Sequence, residues 1–121
     1  MDHITVRELQ RVDLQNGFLA TLDILKPASG IDPARAEEIF EKMDANPDYM
    51  VIVAESGGKI VGAVTLFIEQ KFIHRGGRVG HVEDLAVTQE FQSHKVGSML
   101  MTYLLDAAHK KGCYETILNC P

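Results

Sequence analysis

The sequence predicts an α/β fold with a mixed central sheet flanked by helices. Two observations lead to it. The segments follow the order strand, helix, helix, strand, strand, strand, helix, strand, and the last helix makes a crossover of the length that parallel strands need. The chain has 121 residues, 45% hydrophobic and 24% charged, which fits a single domain over residues 1–121 with one core.

The first third of the chain is predicted to form a short strand and two helices. Apolar and polar residues alternate over residues 4–9, which predicts the strand. From Asp13, a good N-cap residue, apolar side chains recur every three or four positions until Pro27, so one amphipathic helix is predicted there. Asp32-Pro33 begins the second helix, because proline suits the first helical position, and Asn46-Pro47 ends it.

A β-hairpin and a further strand are predicted next. Residues 49–54 and 59–69 are rich in β-branched side chains, and the Ser56-Gly57-Gly58 sequence between them is typical of a tight turn. A connection rich in glycine and arginine, residues 74–78, then leads to a strand over residues 79–88.

A long helix and a last strand complete the predicted sheet. The helix begins within residues 91–97, and the cations and glycine of Lys110-Lys111-Gly112 end it. A final strand is predicted over residues 114–120. One face of the helix is apolar and consists of Val96, Met99, Leu100, Tyr103, Leu104, Ala107 and Ala108.

Composition excludes several classes of function. A net charge of -5 and a pI near 5.4 argue against nucleic-acid binding, which needs a concentrated Lys/Arg surface. Cys113 and Cys120 lack metal-type spacing and lie among apolar residues, so reduced core thiols and no metal are expected. Residues 1–9 carry charges and no long apolar run, so neither a signal peptide nor a membrane anchor is expected, and a cytoplasmic location follows by default.

The turn before the long helix, residues 92–98, is a candidate anion site. A helix start leaves backbone N–H groups unpaired and carries partial positive charge. Small residues such as Ser93 and Gly97 let a phosphate approach the backbone, while His94 and Lys95 add positive charge, so a pyrophosphate would suit the turn. The alternative is that the small residues only begin a helix.

Residues 83–87 (Glu-Asp-Leu-Ala-Val) and 91–97 (Phe-Gln-Ser-His-Lys-Val-Gly) give this turn a family context. Together they resemble the strand and acyl-CoA loop of GNAT acetyltransferases, in which the loop reads Gln/Arg-x-x-Gly-x-Gly/Ala. Gln92 and Gly97 match that pattern, whereas Lys95 replaces its middle glycine.

Four separated segments narrow the resemblance. They are Lys-Phe-Ile-His at residues 71–74, Gly-His-Val-Glu-Asp-Leu-Ala-Val at 80–87, Gly-Cys-Tyr at 112–114 and Ile-Leu-Asn-Cys at 117–120. In this order they look like the glucosamine-6-phosphate N-acetyltransferase family, over most of residues 49–121. The resemblance implies the GNAT acyl-CoA N-acyltransferase fold, acetyl-CoA as co-substrate, glucosamine 6-phosphate as acceptor by direct attack of its amine, a homodimer, and a role in UDP-N-acetylglucosamine biosynthesis.

The same resemblance assigns residues to two subsites. Acetyl-CoA would be held, largely through main-chain atoms, by Leu85, Ala86, Val87, Gln92, Ser93, His94, Lys95, Val96 and Gly97. The acceptor would be bound by Lys71, Phe72, Ile73, His74, Glu83, Asp84, Leu85, Tyr114 and Glu115. Catalytic roles would fall to Glu83, Asp84 and Asn119.

Two of these groups have plainer interpretations. Adjacent strand residues point to opposite faces, so Glu83 and Asp84 are not expected to share a proton, and they could be only an exposed acidic pair. The cations after the hairpin would suit a sugar phosphate, or could be only a solvated loop. These cations are Lys71, His74, Arg75 and Arg78.

The chain departs from the family in the acceptor site and at its end. Asn119 stands where the family has a carboxylate, and Glu115 where a basic residue commonly lies. The sequence stops at Pro121, before the family's Asn-x-x-Phe-Tyr segment, last helix and closing strand, so truncation or completion by a partner is expected. Two alternatives follow: an acetyltransferase for another small amine, or a catalytically silent acetyl-CoA-binding or dimerisation module.

Overall fold

A computed structural model, which describes residues 3–118, contains one five-stranded sheet in the order β1-β2-β3-β4-β5. The strands are β1 (Ile4–Glu8), β2 (Tyr49–Ser56), β3 (Lys59–Gln70), β4 (Arg78–Val87) and β5 (Cys113–Leu118). The first four are antiparallel to their neighbours, whereas β5 runs parallel to β4. The predicted mixed sheet with one parallel crossover is therefore confirmed.

Helices lie on both faces of this sheet. They are α1 (Phe18–Leu22), α2 (Pro33–Asp44), the single turn α3 (Ile73–Gly76) and α4 (Val96–Lys110), with 3-10 turns at Arg11–Gln15 and Gln89–Phe91. The second predicted helix is confirmed as α2, with proline at its first position, and the long predicted helix is confirmed as α4. Among residues 3–118, no helix is long and apolar enough to cross a membrane.

The single helix predicted from Asp13 to Pro27 is wrong. The chain forms a 3-10 turn, then breaks at Gly17, and only the five residues of α1 are α-helical. Gly17 has a φ of 99°, and a Cβ there would lie 2.8 Å from the carbonyl oxygen of Ile60. Only glycine fits both constraints. Asp13 consequently lies inside the 3-10 turn, where its side chain is buried.

The two faces of the sheet bury separate apolar clusters. On the back face, α4 packs through Val96, Leu100, Leu104 and Ala108 onto Ile52, Leu66 and Val82. On the front face, Phe18 of α1 packs onto Val53, Ile60 and Ala63. This division follows from the two-residue period of the strands and the apolar stripe of α4. The front face matters for function, because the polar residues of β3 and β4 also lie on it.

A β-bulge interrupts β4 on this sheet. Thr65 of β3 pairs with Glu83 of β4. Two residues earlier on β3, Ala63 pairs with Ala86, which is three residues further along β4. The extra β4 residue is accommodated at Asp84, whose φ of 53° is left-handed. Such a conformation is costly for a non-glycine residue, so the surrounding sheet must hold it.

The N-terminal strand is fixed by a partly buried ion pair. The Arg7 guanidinium donates to both carboxylate oxygens of Asp13, at 2.7 and 3.0 Å, and the Gln10 N–H donates to the same group at 2.8 Å. Burial alone would raise the pKa of Asp13, but these hydrogen bonds outweigh it, and the pKa lies below its ordinary value of 3.8. The ionised carboxylate therefore stabilises the fold.

We predict that Asp13→Asn lowers the free energy of unfolding by about 2 kcal/mol at pH 7, because it removes a charge-assisted contact from a buried site. A depressed pKa contributes stability above the unfolded value and loses it as pH falls through the folded value. The deficit should therefore shrink in urea unfolding well below pH 3.8. Glu37→Gln, which loosens an exposed pair with Arg11, is the control and should change little. A deficit of the same size at both pH values would contradict the ionic origin.

Candidate active site

The bulge in β4 lies where the strand loses its described neighbour on one side. Pairing between β4 and β5 runs from Arg78 to Val82, opposite Leu118, and ends there within residues 3–118. The next residues of β4 form the bulge, which disturbs the ladder on the β3 side as well. The bulge leaves Asp84 without a partner in the register with β3, so the backbone here is a candidate for ligand binding.

The inference that Glu83 and Asp84 point to opposite faces is wrong in its premise, because β4 is not regular here. Asp84 adopts a left-handed conformation, is exposed, and lines a cleft on the front face together with Thr65. Thr65 is the cross-strand partner of Glu83. Both acidic residues thus lie on the same side of the sheet, and Glu83 is half-buried.

The cleft beside Asp84 measures ≈ 710 Å³ and lies between the front face and the helices α1 and α2. Its walls are mostly apolar and include Phe18, Leu22, Ile39, Phe40, Met43 and Val51. Among the site residues predicted from sequence, Asp84 alone lines it within the described part of the chain. The cleft can admit a small molecule to Asp84 at the bulge.

The predicted pyrophosphate loop is a turn that leads directly into α4. Gln92 donates its side-chain amide to the carbonyl of Val87 at 3.1 Å, which ties the loop to the end of β4. Lys95 is the N-cap of α4 in a left-handed conformation, with a φ of 60°, and no side chain caps the helix. The first N–H groups of α4 are therefore available to an anion. Ser93 and His94 are exposed, with Ser93 Oγ 3.5 Å from His94 Nδ1.

Two loop residues differ in what they can offer. The side chain of Val96 is fully buried in the back-face core, so the expectation that it binds cofactor applies to its backbone only. A Cβ placed on Gly97 would have no heavy atom within 4 Å. The protein itself does not require glycine there, so the missing side chain leaves open surface at the helix start.

The predicted cations Arg78 and Lys71 contact different groups. Arg78 donates to the carbonyl of Lys111 at 2.6 Å and to Asp48 at 3.0 Å, so it joins the end of α4 to the sheet. Lys71 forms an ion pair with Glu69 at 3.2 Å. The Arg78 guanidinium thus makes structural contacts, and its role in binding an acceptor stays a prediction.

The remaining predicted acceptor residues lie around α3. The rings of His74 and Tyr114 stack with centroids 4.1 Å apart and an interplanar angle of 36°. His74 and Arg75 both have left-handed φ, 51° and 58°, which the sequence did not predict. Phe72 and Ile73 are exposed and so are available to a ligand or partner. Glu115 is exposed on β5, while Asn119 and Cys120 lie outside the described residues.

Sequence reasoning missed two polar residues of this face, His81 and Glu69. His81 Nε2 lies 2.9 Å from Glu69 Oε1, and the same carboxylate pairs with Lys71. Period-two alternation along β4 already puts His81 on the same face as Glu83. The contact with Glu69 could not be inferred without the register between β3 and β4, in which Phe67 pairs with His81.

Strand β4, the turn after it and the start of α4 follow one another as the resemblance to the acyl-CoA loop predicts. The Acetyltransferase (GNAT) family matches residues 18–120. The chain belongs to the GNAT family of acetyltransferases. The fold class and the resemblance inferred from residues 83–87 and 91–97 are thereby confirmed, and the family uses acetyl-CoA as its acyl donor.

Individual relatives with GNAT activity resemble the chain over most of its length. The chain is 36% identical over 118 residues to glucosamine 6-phosphate N-acetyltransferase 1 of Oryza sativa subsp. japonica, covering 95% of this chain and 72% of the relative. It is 33% identical to the glucosamine 6-phosphate N-acetyltransferase of Candida albicans, covering 96% and 79%. The crystal structure of glucosamine-6-phosphate N-acetyltransferase from Arabidopsis thaliana superposes with a TM-score of 0.94 at 29% identity, covering 98% of this chain and 83% of that one.

Proposed function

We propose that this chain transfers the acetyl group of acetyl-CoA to the amine of glucosamine 6-phosphate, a step toward UDP-N-acetylglucosamine. The observation that carries the proposal is the bulge at Asp84. It puts an acidic pair, an interrupted backbone ladder and a helix start within one short stretch of chain. The relatives that bear this activity in their names align with nearly the whole chain, which favours this acceptor over another small amine.

The cofactor half of the site is made mainly of backbone. We place the pyrophosphate at residues 92–97, where the uncapped N–H groups of α4 and the exposed Lys95 supply positive charge. The thioester then lies along residues 85–87, where bulged backbone N–H groups would stabilise the oxyanion of the tetrahedral intermediate. Gln92 supports this geometry, because its bond to Val87 ties the two parts together.

The acceptor half is made of charged side chains on the front face. Glu83 or Asp84 orients the amine and its hydroxyl neighbours, at the end of the cleft nearest the thioester. Lys71 is the cation we assign to the 6-phosphate, because it begins the Lys-Phe-Ile-His segment that the resemblance assigns to the acceptor. His74 and Tyr114, stacked on each other, form the apolar rim beside it.

The reaction is a direct transfer. The neutral amine nitrogen attacks the thioester carbonyl carbon, the C–S bond breaks, and coenzyme A leaves as a thiolate. The nitrogen loses one proton to water beside Glu83 or Asp84, and the thiolate is protonated on release. An acyl-enzyme on Cys113 is disfavoured, because burial raises the pKa of its thiol and its Sγ lies on the back face near Gly80.

A homodimer completes the proposal. Apolar side chains are exposed on β5 and on the nearby loop, namely Phe72, Ile73, Tyr114, Ile117 and Leu118. An apolar edge of this kind favours association with a second chain.

We predict that the protein with acetyl-CoA and glucosamine 6-phosphate releases free thiol, measured with a thiol-reactive dye. Glu83→Gln should lower kcat by about 10²-fold or more while leaving the affinity for acetyl-CoA within about threefold, because the carboxylate serves the acceptor and the proton. Glu38→Gln, an exposed acid on α2, is the control. Thiol release with a different small amine in place of glucosamine 6-phosphate would favour the other acceptor, and cofactor binding without transfer to any amine would overturn the enzyme assignment.

Gly97 allows the pyrophosphate assignment to be tested with a matched pair. Gly97→Ala and Gly97→Asp should both fold, because a Cβ there meets no atom within 4 Å. Gly97→Asp should weaken coenzyme A binding by about tenfold or more through charge repulsion, and Gly97→Ala by much less. Calorimetric titration measures both. Equal affinities for the Asp variant and the unaltered protein would contradict a pyrophosphate at this turn.

The assembly is tested by sedimentation equilibrium. The account predicts a species of twice 13.4 kDa at the concentrations used for kinetics. A mass of 13.4 kDa in an active sample would contradict a dimeric enzyme.

A further inference from the structure

Three polar side chains form a connected row on the front face before the bulge: Glu69, Lys71 and His81. Glu69 accepts from the Lys71 ammonium through Oε2 at 3.2 Å and contacts His81 Nε2 through Oε1 at 2.9 Å. The two carboxylate oxygens are thus divided between a cation of the loop and an imidazole of β4. Glu69 and Lys71 are partly exposed, whereas the His81 side chain is only 19% exposed.

The register of the sheet separates Lys71 from the acidic pair at the bulge. Lys71 follows β3 six residues after Thr65, the partner of Glu83, which is about 20 Å along an extended strand. A hexosamine phosphate is far shorter than that. An extended Lys71 would therefore hold its ammonium too far from the acidic pair to meet the phosphate of a sugar whose amine lies at Glu83.

The ion pair with Glu69 shortens this distance. Glu69 lies two residues nearer the bulge than Lys71, and it is held there by His81, whose Cα is only two residues, or about 7 Å, from Glu83. Glu69 lies four residues from Thr65, about 13 Å along β3, so an ammonium held at its carboxylate lies nearer the acidic pair than that of an extended Lys71 would. Hydrogen bonds from His81 and then from Lys71 lower the pKa of Glu69, which keeps it a carboxylate able to hold both.

We propose that Glu69 and His81 are positioning residues, which turn the ammonium of Lys71 toward the bulge and so set the preference for a 6-phosphorylated amino sugar over the unphosphorylated one. This inference rests on the proposed function. Its physical basis is preorganisation, because a lysine side chain has many rotamers and one held in place loses less freedom when the phosphate binds.

Other polar groups lie near Lys71, and Glu69 could merely neutralise the Lys71 ammonium instead of positioning it. Glu83 of β4 and Glu115 of β5 lie on the front face, and His74 and Arg75 lie in the neighbouring loop. If Glu69 only neutralised Lys71, its removal would strengthen phosphate binding. If it positions Lys71, its removal weakens phosphate binding. The sign of the effect therefore separates the two roles.

The test is steady-state kinetics with glucosamine 6-phosphate and with glucosamine. Glu69→Gln should raise the KM for glucosamine 6-phosphate by about tenfold, with kcat within about twofold and kcat/KM for glucosamine unchanged. His81→Leu should act like Glu69→Gln, whereas His81→Gln keeps an N–H donor for Glu69 and should restore most of the affinity. Asp106→Asn, which loosens the exposed pair with Lys110 on α4, is the matched control.

A double-mutant cycle connects the effect to Lys71. In a Lys71→Met background, Glu69→Gln should add no further rise in KM, because no ammonium remains to be positioned. Melting temperatures check that each variant folds.

The outcomes separate the inference from the function on which it rests. Failure of the unaltered protein to acetylate glucosamine 6-phosphate overturns both. If the unaltered protein is active, three results for Glu69→Gln would overturn the positioning role and leave the function standing. They are an unchanged or lower KM for glucosamine 6-phosphate, an equal loss of activity with glucosamine, and a full effect in the Lys71→Met background.

Discussion

The register shift between β3 and β4 is the constraint on which the site depends. One extra residue in β4, accommodated at left-handed Asp84, interrupts the ladder with β3 and brings an acidic pair to one side of the sheet. The strain is held in place by pairing on both sides of it, with Thr65 opposite Glu83 and Ala63 opposite Ala86. The sheet thus supplies the rigidity that a binding site needs.

The same strand connects the two halves of the proposed reaction. Past the bulge, the Gln92 side chain holds the loop against the end of β4, and Val96 and Leu100 anchor the helix start in the back-face core. Before the bulge, His81 connects β4 to the Glu69 carboxylate of β3. In the proposed reaction, cofactor and acceptor would therefore be positioned by residues on opposite sides of one irregularity.

Local signals predicted the hairpin, α2 and α4, because turn glycines, an N1 proline and an apolar stripe act over a few residues. The break at Gly17 could not be predicted, because it depends on the approach of the Ile60 carbonyl from another part of the chain. The hydrogen bond from Arg78 to the Lys111 carbonyl and the contact between Glu69 and His81 likewise depend on tertiary packing and strand register. The cofactor loop was accessible to motif reasoning because its chemistry is contiguous, whereas the acceptor residues are dispersed across strands.

The central claim is that coenzyme A binds the bulge and the helix start, and its most direct test is a titration of the ¹⁵N-labelled protein with coenzyme A followed by amide chemical shifts. The account predicts that the largest changes fall on residues 84–87 and 93–98. It further predicts that residues lining the apolar cleft, such as Ile39 and Met43 of α2, change little. Large shifts at α2 with an unperturbed bulge would contradict the account.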